Sequence, residues 1–194
     1  MNNKYWKFML IPSFAGFLVF YIIPFFRSLS YAWLNDAFNQ EFCGLENFKT
    51  LLKSEYFLLG MKNTFIFTAI SVPLIIVISY IIAFLLAFVL RKLMFVQSAI
   101  FLPYLLPSIT AVMIWQSHFA SFPAPSSLLL LFIWKYTGLN VILLTTSFLT
   151  VPQEVLDSAQ IDGSSKLSTL IYILFPNSIP MVLFTGILSF VNSF

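Results

Sequence analysis

The sequence predicts an all-α integral membrane protein, a multi-span helical bundle, on three observations. Of its 194 residues, 60% are apolar and only 9% charged, with a mean hydropathy of +0.94. Soluble domains carry about 25% charged residues, and so few charges could not cover a surface facing water. Uncharged runs of membrane length also recur: a bilayer core about 30 Å thick needs about 20 helical residues at about 1.5 Å each. Finally, the charge gathers in two tracts, residues 27–63 and 151–180, with apolar sequence on either side.

Residues 1–7 carry Lys4 and Lys7 and no acid. Residues 8–26 follow without a charge and read as a retained membrane anchor. The run is longer than the apolar core of a signal peptide, and no small-x-small cleavage site follows it. Pro12 and Pro24 stand near its ends, where proline does least damage. In the first polar tract, which includes Asp36, residues 44–64 read as a short amphipathic helix lying along the membrane. Its apolar positions are Leu45, Phe48, Leu51 and Leu52.

Residues 65–90 form the second span, with a bend expected at Pro73, and Arg91 and Lys92 stop it. The next 42 positions hold no Asp, Glu, Lys or Arg, and His118 is the one side chain there that could charge near neutrality. That is too long for one crossing. The stretch ASFPAPSS (120–127) divides it into spans at about 93–119 and 128–150. Pro103 and Pro107, four apart in the first of these, each remove a backbone hydrogen bond and predict a kink or hinge. Lys135 falls inside the fourth span. An intramembrane charge is by default a functional-site candidate. The same lysine also suits snorkelling to the outer surface, with Trp134 and Tyr136 as interface aromatics. A last apolar run, 179–194, is short for a crossing, so the chain reads as a single partial membrane domain ending inside its fifth span.

Lys4 and Lys7 before the first span and Arg91–Lys92 after the second are purely basic. They must lie on one side, and the positive-inside rule makes it the cytoplasm. Residues 151–178 are then cytoplasmic too. In that loop Pro152 suits a helix start, with Glu154 and Asp157 near its positive end. Asp162–Gly163 reads as the stop, Gly163 being free to turn left-handed. Ser164 or Ser165 can cap a second helix whose stripe is Leu167, Leu170, Ile171 and Leu174, with Pro176 ending it. Two short helices and a glycine elbow are expected between two spans.

That pattern resembles the EAA loop of sugar-type, binding-protein-dependent ABC importer permeases. Asp157-Ser158-Ala159 stands for the Glu-Ala-Ala triplet, Ile161-Asp162-Gly163 for the residues through the glycine, and Phe175-Pro176 with Pro180 for the later prolines. FLPYLLPSITAVMIW (101–115) and GLENFKTLL (44–52) are similar to further segments of such permeases. The resemblance implies a transport subunit of a bacterial cell membrane. Its loop residues Glu154, Asp157, Ser158, Ala159, Asp162 and Gly163 would dock on a cytoplasmic ABC ATPase, with Pro103, Pro107 and Pro176 as hinges. It implies as partners a second permease subunit, an extracytoplasmic solute-binding protein and a sugar-like substrate. Lys135 and Asn140 are candidates for the solute path, although polar side chains such as Asn140, Thr145, Thr146 and Asn192 also suit bonds between helices. Family members continue beyond this loop by at least one full span, so a truncated permease is expected.

No covalent chemistry is expected. The chain has no phosphate loop and no nucleophile elbow. Cys43 and His118 are single, which argues against a disulfide or a zinc site. ATP would be bound by partner subunits, with no cofactor of the chain's own. The net charge of +3 reads as loop asymmetry, not as a nucleic-acid footprint. A secondary transporter or channel built on broken helices at Pro103 and Pro107 is the alternative, as is a non-functional remnant.

Overall fold

The computed structural model describes residues 5–35, 41–90, 93–119 and 121–194, without the side chains of 5–8, 89–90 and 93–94. Lys4, Asp36, Arg91, Lys92, Ala120 and the side chain of Lys7 therefore lie outside the described residues. The described residues are helical apart from turns and one isolated β-bridge, Leu34 to Phe42. Four helices are long and apolar enough to cross a membrane, and a bent pair makes a fifth crossing if counted as one span. The chain divides into two compact units, Met1–Met61 and Lys62–Phe194.

In the first unit, α1 (Tyr5–Phe17) runs through a π-helical turn (Leu18–Ile22) into α2 (Ile23–Tyr31). The helix therefore passes both Pro12 and Pro24. A proline ring collides with the carbonyl four residues back. Here the residue before Pro24, Ile23, donates instead to Leu18 O, five back, and the wider turn makes room. After α2, Asn35 N–H donates to Glu41 O at 2.8 Å and Cys43 N–H to Trp33 O at 2.9 Å. Gly44 takes a φ of 60°, a left-handed turn that suits glycine. It leads into α3 (Glu46–Lys53), which is shorter than the helix expected over 44–64. Ser54 is extended and α4 (Glu55–Phe84) starts at once, ten residues before the expected span. Asn47 Nδ2 closes the turn by donating to Ala32 O at 3.0 Å and Leu34 O at 2.9 Å. Trp33 packs on Phe48 at 5.3 Å.

In the second unit α4 continues as one helix through Pro73 and ends in a π-helical turn (Leu85–Leu90). Then come α5 (Leu93–Leu105) and α6 (Ser108–Phe119), which meet at 97°. Pro103 stays inside α5, and the break falls at Leu106–Pro107. Proline disfavours a helical conformation in the residue before it. Leu106 N–H donates only three back, to Pro103 O, and Ala111 N–H donates to Pro107 O to open α6. The expected kink is thus a sharp corner at Pro107.

The central helix is α7 (Ala124–Leu149), packed on α5 and α10. Gly138 allows this approach. A Cβ there would lie 2.7 Å from Phe101 Cα and closer still to the backbone of Ile100. Next come α8 (Gln153–Ile161) and α9 (Lys166–Thr169). A π-helical turn (Leu170–Leu174) then leads into α10 (Phe175–Asn192).

Pro176 does not end the second loop helix, as had been expected. Phe175 N–H donates five back to Leu170 O, the same accommodation as at Pro24. Lys166–Asn192 is consequently one helix of 27 residues, long enough to cross, where a short run from 179 had been expected.

The ends of the helices define two poles of this unit. At one, Ala83 and Leu86 from the end of α4, Phe148 from α7, Leu156 from α8 and Leu174 share a buried cluster, with Val96 and Ile100 of α5 against it. At the other, Thr68 and Ser193 hydroxyls lie 2.9 Å apart, and Trp115 Nε1 donates to Ser127 Oγ at 2.8 Å. The α5–α6 pair starts at the first pole and ends at the second, the placement a broken span would have.

Candidate functional site

The loop from α7 to α9 hangs on the first pole. Pro152 is the N-cap residue of α8, and Leu156 is its one buried side chain, 8% exposed and seated in the cluster with Phe148 and Leu174. The face on the other side is open. Glu154, Asp157, Ser158, Asp162 and Gly163 are exposed and Ala159 is half-buried.

The polar groups of this face are held locally. Gln153 Nε2 donates to Asp157 Oδ1 at 2.8 Å, and Ser158 Oγ donates to Glu154 O at 2.8 Å. Gly163 has a φ of 78°, the left-handed stop. Ser164 N–H reaches back to Ala159 O at 2.8 Å, closing the helix end. Of the two candidate caps, Ser165 takes the role and accepts from Ser168 N–H at 3.2 Å. The apolar stripe of the second helix is split. Leu174 and Leu170 face the cluster, whereas Leu167 and Ile171 are exposed.

A cavity of about 870 Å³ opens toward the second pole. Its polar lining includes Asn63, Thr64, Ser108, Lys135, Tyr136 and Ser193, and the rest is mostly aliphatic and aromatic. The Lys135 side chain is only 7% exposed. Its Nζ donates to Ser108 Oγ at 2.6 Å and sits 5.6 Å from the Tyr136 ring centre. It turns inward to the first residue of α6, so the snorkelling reading gives way.

Asn140 does not line this cavity. Its Nδ2 donates to Ser189 Oγ at 2.9 Å and ties α7 to α10, while the Thr145, Thr146 and Asn192 side chains donate to carbonyls of their own helices. The structure thus brings the loop residues to one face and Lys135 to the opposite pole. Pro107 marks the corner beside Ser108. Sequence reasoning missed Ser108, although its place directly after Pro107 marks it as the start of a half-helix. No group of three or more His, Cys, Asp or Glu able to hold a metal occurs among the described residues.

The model of the binding-protein-dependent transport system inner membrane component family matches residues 57–194. The chain belongs to that family. Among curated relatives it is 29% identical to the probable ABC transporter permease protein MG188 of Mycoplasma genitalium, an alignment covering 93% of this chain and 64% of the relative. It therefore spans less than two thirds of that protein's length. It is 25% identical to the sn-glycerol-3-phosphate transport system permease protein UgpA of Yersinia enterocolitica, covering 96% of this chain and 72% of that one. Its identity to the multiple sugar-binding transport system permease protein MsmF of Streptococcus mutans is 24%, over 93% and 71%.

The fold matches a crystal structure of a bacterial ABC transporter involved in import of the acidic polysaccharide alginate. The TM-score is 0.79 at 20% identity, covering 96% of this chain and 72% of that chain. The same holds for the alginate transporter in complex with its pentasaccharide-bound periplasmic protein, with a TM-score of 0.78 at 19% identity, covering 96% and 71%. Family membership and these spans make the protein a multi-pass membrane protein.

Proposed function

We propose that this chain is a permease subunit of an ATP-driven importer for a sugar or related solute, and that α8 is the surface on which a cytoplasmic ATPase docks. One observation carries the reading. Helix α8 presents Glu154, Asp157 and Ser158 outward while Leu156 is locked among the ends of α4, α7 and the helix leading to α10. A push on its outer face reaches three spans through one buried side chain. A nucleotide can shift a transporter between conformations only through contacts that differ between them, and an exposed helix with a rigid root is suited to carry that difference. ATP stays with the partner; the chain's part is binding and transmission.

Lys4, Lys7, Arg91 and Lys92 support a cytoplasmic α8 through the positive-inside rule. The cavity pole then faces outward, where a solute-binding protein would deliver its load to this subunit and a paired permease. The relatives' names support a sugar-like solute, sn-glycerol 3-phosphate and multiple sugars among them. The test is site-specific crosslinking in the assembled complex. A Ser158→Cys variant is expected to crosslink to a co-purifying ATPase and to resist membrane-impermeant thiol reagents added outside intact cells. Labelling from outside alone overturns the orientation and the docking role together.

A further inference from the structure

We propose that Lys135 and the start of α6 form an anion subsite within the cavity, which takes the phosphate or carboxylate group of the imported solute. The inference rests on the permease reading and narrows its substrate class. Its starting point is a charge imbalance. Between Glu55 and Glu154 the sequence has no Asp or Glu, and after Asp162 it has none. The spans of the second unit therefore contain no carboxylate that could neutralise Lys135. The ammonium is buried, and its hydrogen-bond partner is the neutral Ser108 hydroxyl. An unpaired charge in such a place is costly and marks function by default.

The position of Ser108 sharpens the argument. It opens α6, just past the 97° corner, so the ammonium stands at a helix N-terminus. That is the wrong end for a cation, since the first-turn N–H groups and the helix dipole both favour negative charge there. A single anionic group lodged beside Nζ would answer the lysine and the helix end together. Half-helix N-termini at membrane depth serve anionic groups in this way.

The space is present, because about 870 Å³ lies within the range of small-molecule sites, about 300–1,000 Å³. Asn63 and Thr64 on α4 offer polar groups for the hydroxyls of a solute, while Phe67 and Phe132, 5.6 Å apart, give it an apolar wall. An anionic lipid headgroup has the same chemistry as a phosphorylated or acidic solute. The polar α4 wall favours the solute.

The experiment uses the complex purified with its ATPase in phosphatidylcholine nanodiscs. Binding of sn-glycerol 3-phosphate and of a uronic-acid oligosaccharide is compared with that of a neutral oligosaccharide of equal length. At least one anionic probe is expected to bind in preference to the neutral one. Lys135→Met is expected to weaken it by about tenfold or more, and Lys135→Arg to retain most of the affinity. Lys135→Met leaves the methylene stem packed, so loss of binding with an unchanged melting temperature reports the charge.

Equal binding of neutral and anionic probes, no anion binding, or anion binding indifferent to Lys135→Met overturns the subsite. So does a requirement for phosphatidylglycerol that soluble anions do not compete away, which would assign the site to lipid. Absence of a co-purifying ATPase defeats the permease reading instead, while anion binding to the chain can still be measured.

Discussion

The two poles of residues 62–194 are built on opposite principles. At the α8 pole, Leu86, Leu144, Phe148 and Leu174 are at most 2% exposed, and Tyr80 packs edge-on against Phe148 at 5.0 Å. Well-packed interiors are bistable and transmit displacement instead of absorbing it. At the Lys135 pole the helices line a cavity, a corner replaces a continuous helix, and the spans supply Lys135 with no carboxylate. The lesson is a division of labour along one bundle. The dense end is suited to passing motion from a partner, and the hollow end to receiving something polar. Gly138 sits between them, where the α5 backbone presses on α7.

The largest effect is expected at that point. Gly138→Val would drive its Cβ into the backbone of Ile100 and Phe101, and backbone cannot swing aside as a side chain would. Overpacking costs about 1–3 kcal/mol and sometimes more; here the upper end is expected, because α5 must move as a body and both poles lose their geometry. Thermal unfolding of the detergent-solubilised protein checks it, with a steep loss of folded yield expected. A variant as stable as the parent would show that the two poles do not depend on the contact between α5 and α7.

The sequence carries local features well and angles poorly. The α8 helix, its left-handed stop at Gly163 and the Ser165 cap were readable because each depends on neighbours within a turn. Asn140 was legible only as a choice between the solute path and a bond between helices, and its bond to Ser189 is a tertiary fact. Proline was harder. Pro107 shows that a helix stops, but the 97° direction is set by packing on α7. The passage of the helix through Pro24 and Pro176 depends on a wider turn upstream that composition does not announce. Lys135 illustrates the limit. Its charge and its place in an apolar run were visible at once, whereas its burial against Ser108 is a tertiary fact. The Asn47 clamp on Ala32 and Leu34, across 15 and 13 residues, is another.

A smaller effect separates anchoring from docking at the dense pole. Leu156→Ala removes the side chain that roots α8. Large-to-small core changes cost about 2–5 kcal/mol, and the slight exposure of Leu156 and its place at the edge of the cluster put the expected loss near the lower bound. Stability measured by thermal melting should fall modestly. If α8 transmits force through this root, uptake per ATP hydrolysed should fall further than stability does. Parallel loss of both would reduce Leu156 to a packing residue.

The smallest stability change is expected at Gly163, and it contrasts with Gly138. No atom lies within 4 Å of a Cβ built on Gly163, so crowding plays no part. The φ of 78° is the whole constraint. A residue with a side chain pays about 1–2 kcal/mol in this left-handed region, and Asn less than most. Gly163→Val should therefore melt slightly below the parent, and Gly163→Asn between the two. The elbow sets the direction in which the chain leaves α8, so uptake in the assembled complex should follow the same order while ATP hydrolysis persists. A Gly163→Val complex with normal uptake would remove the elbow from coupling, and equal uptake losses for Asn and Val would mean that the position senses bulk and not backbone handedness.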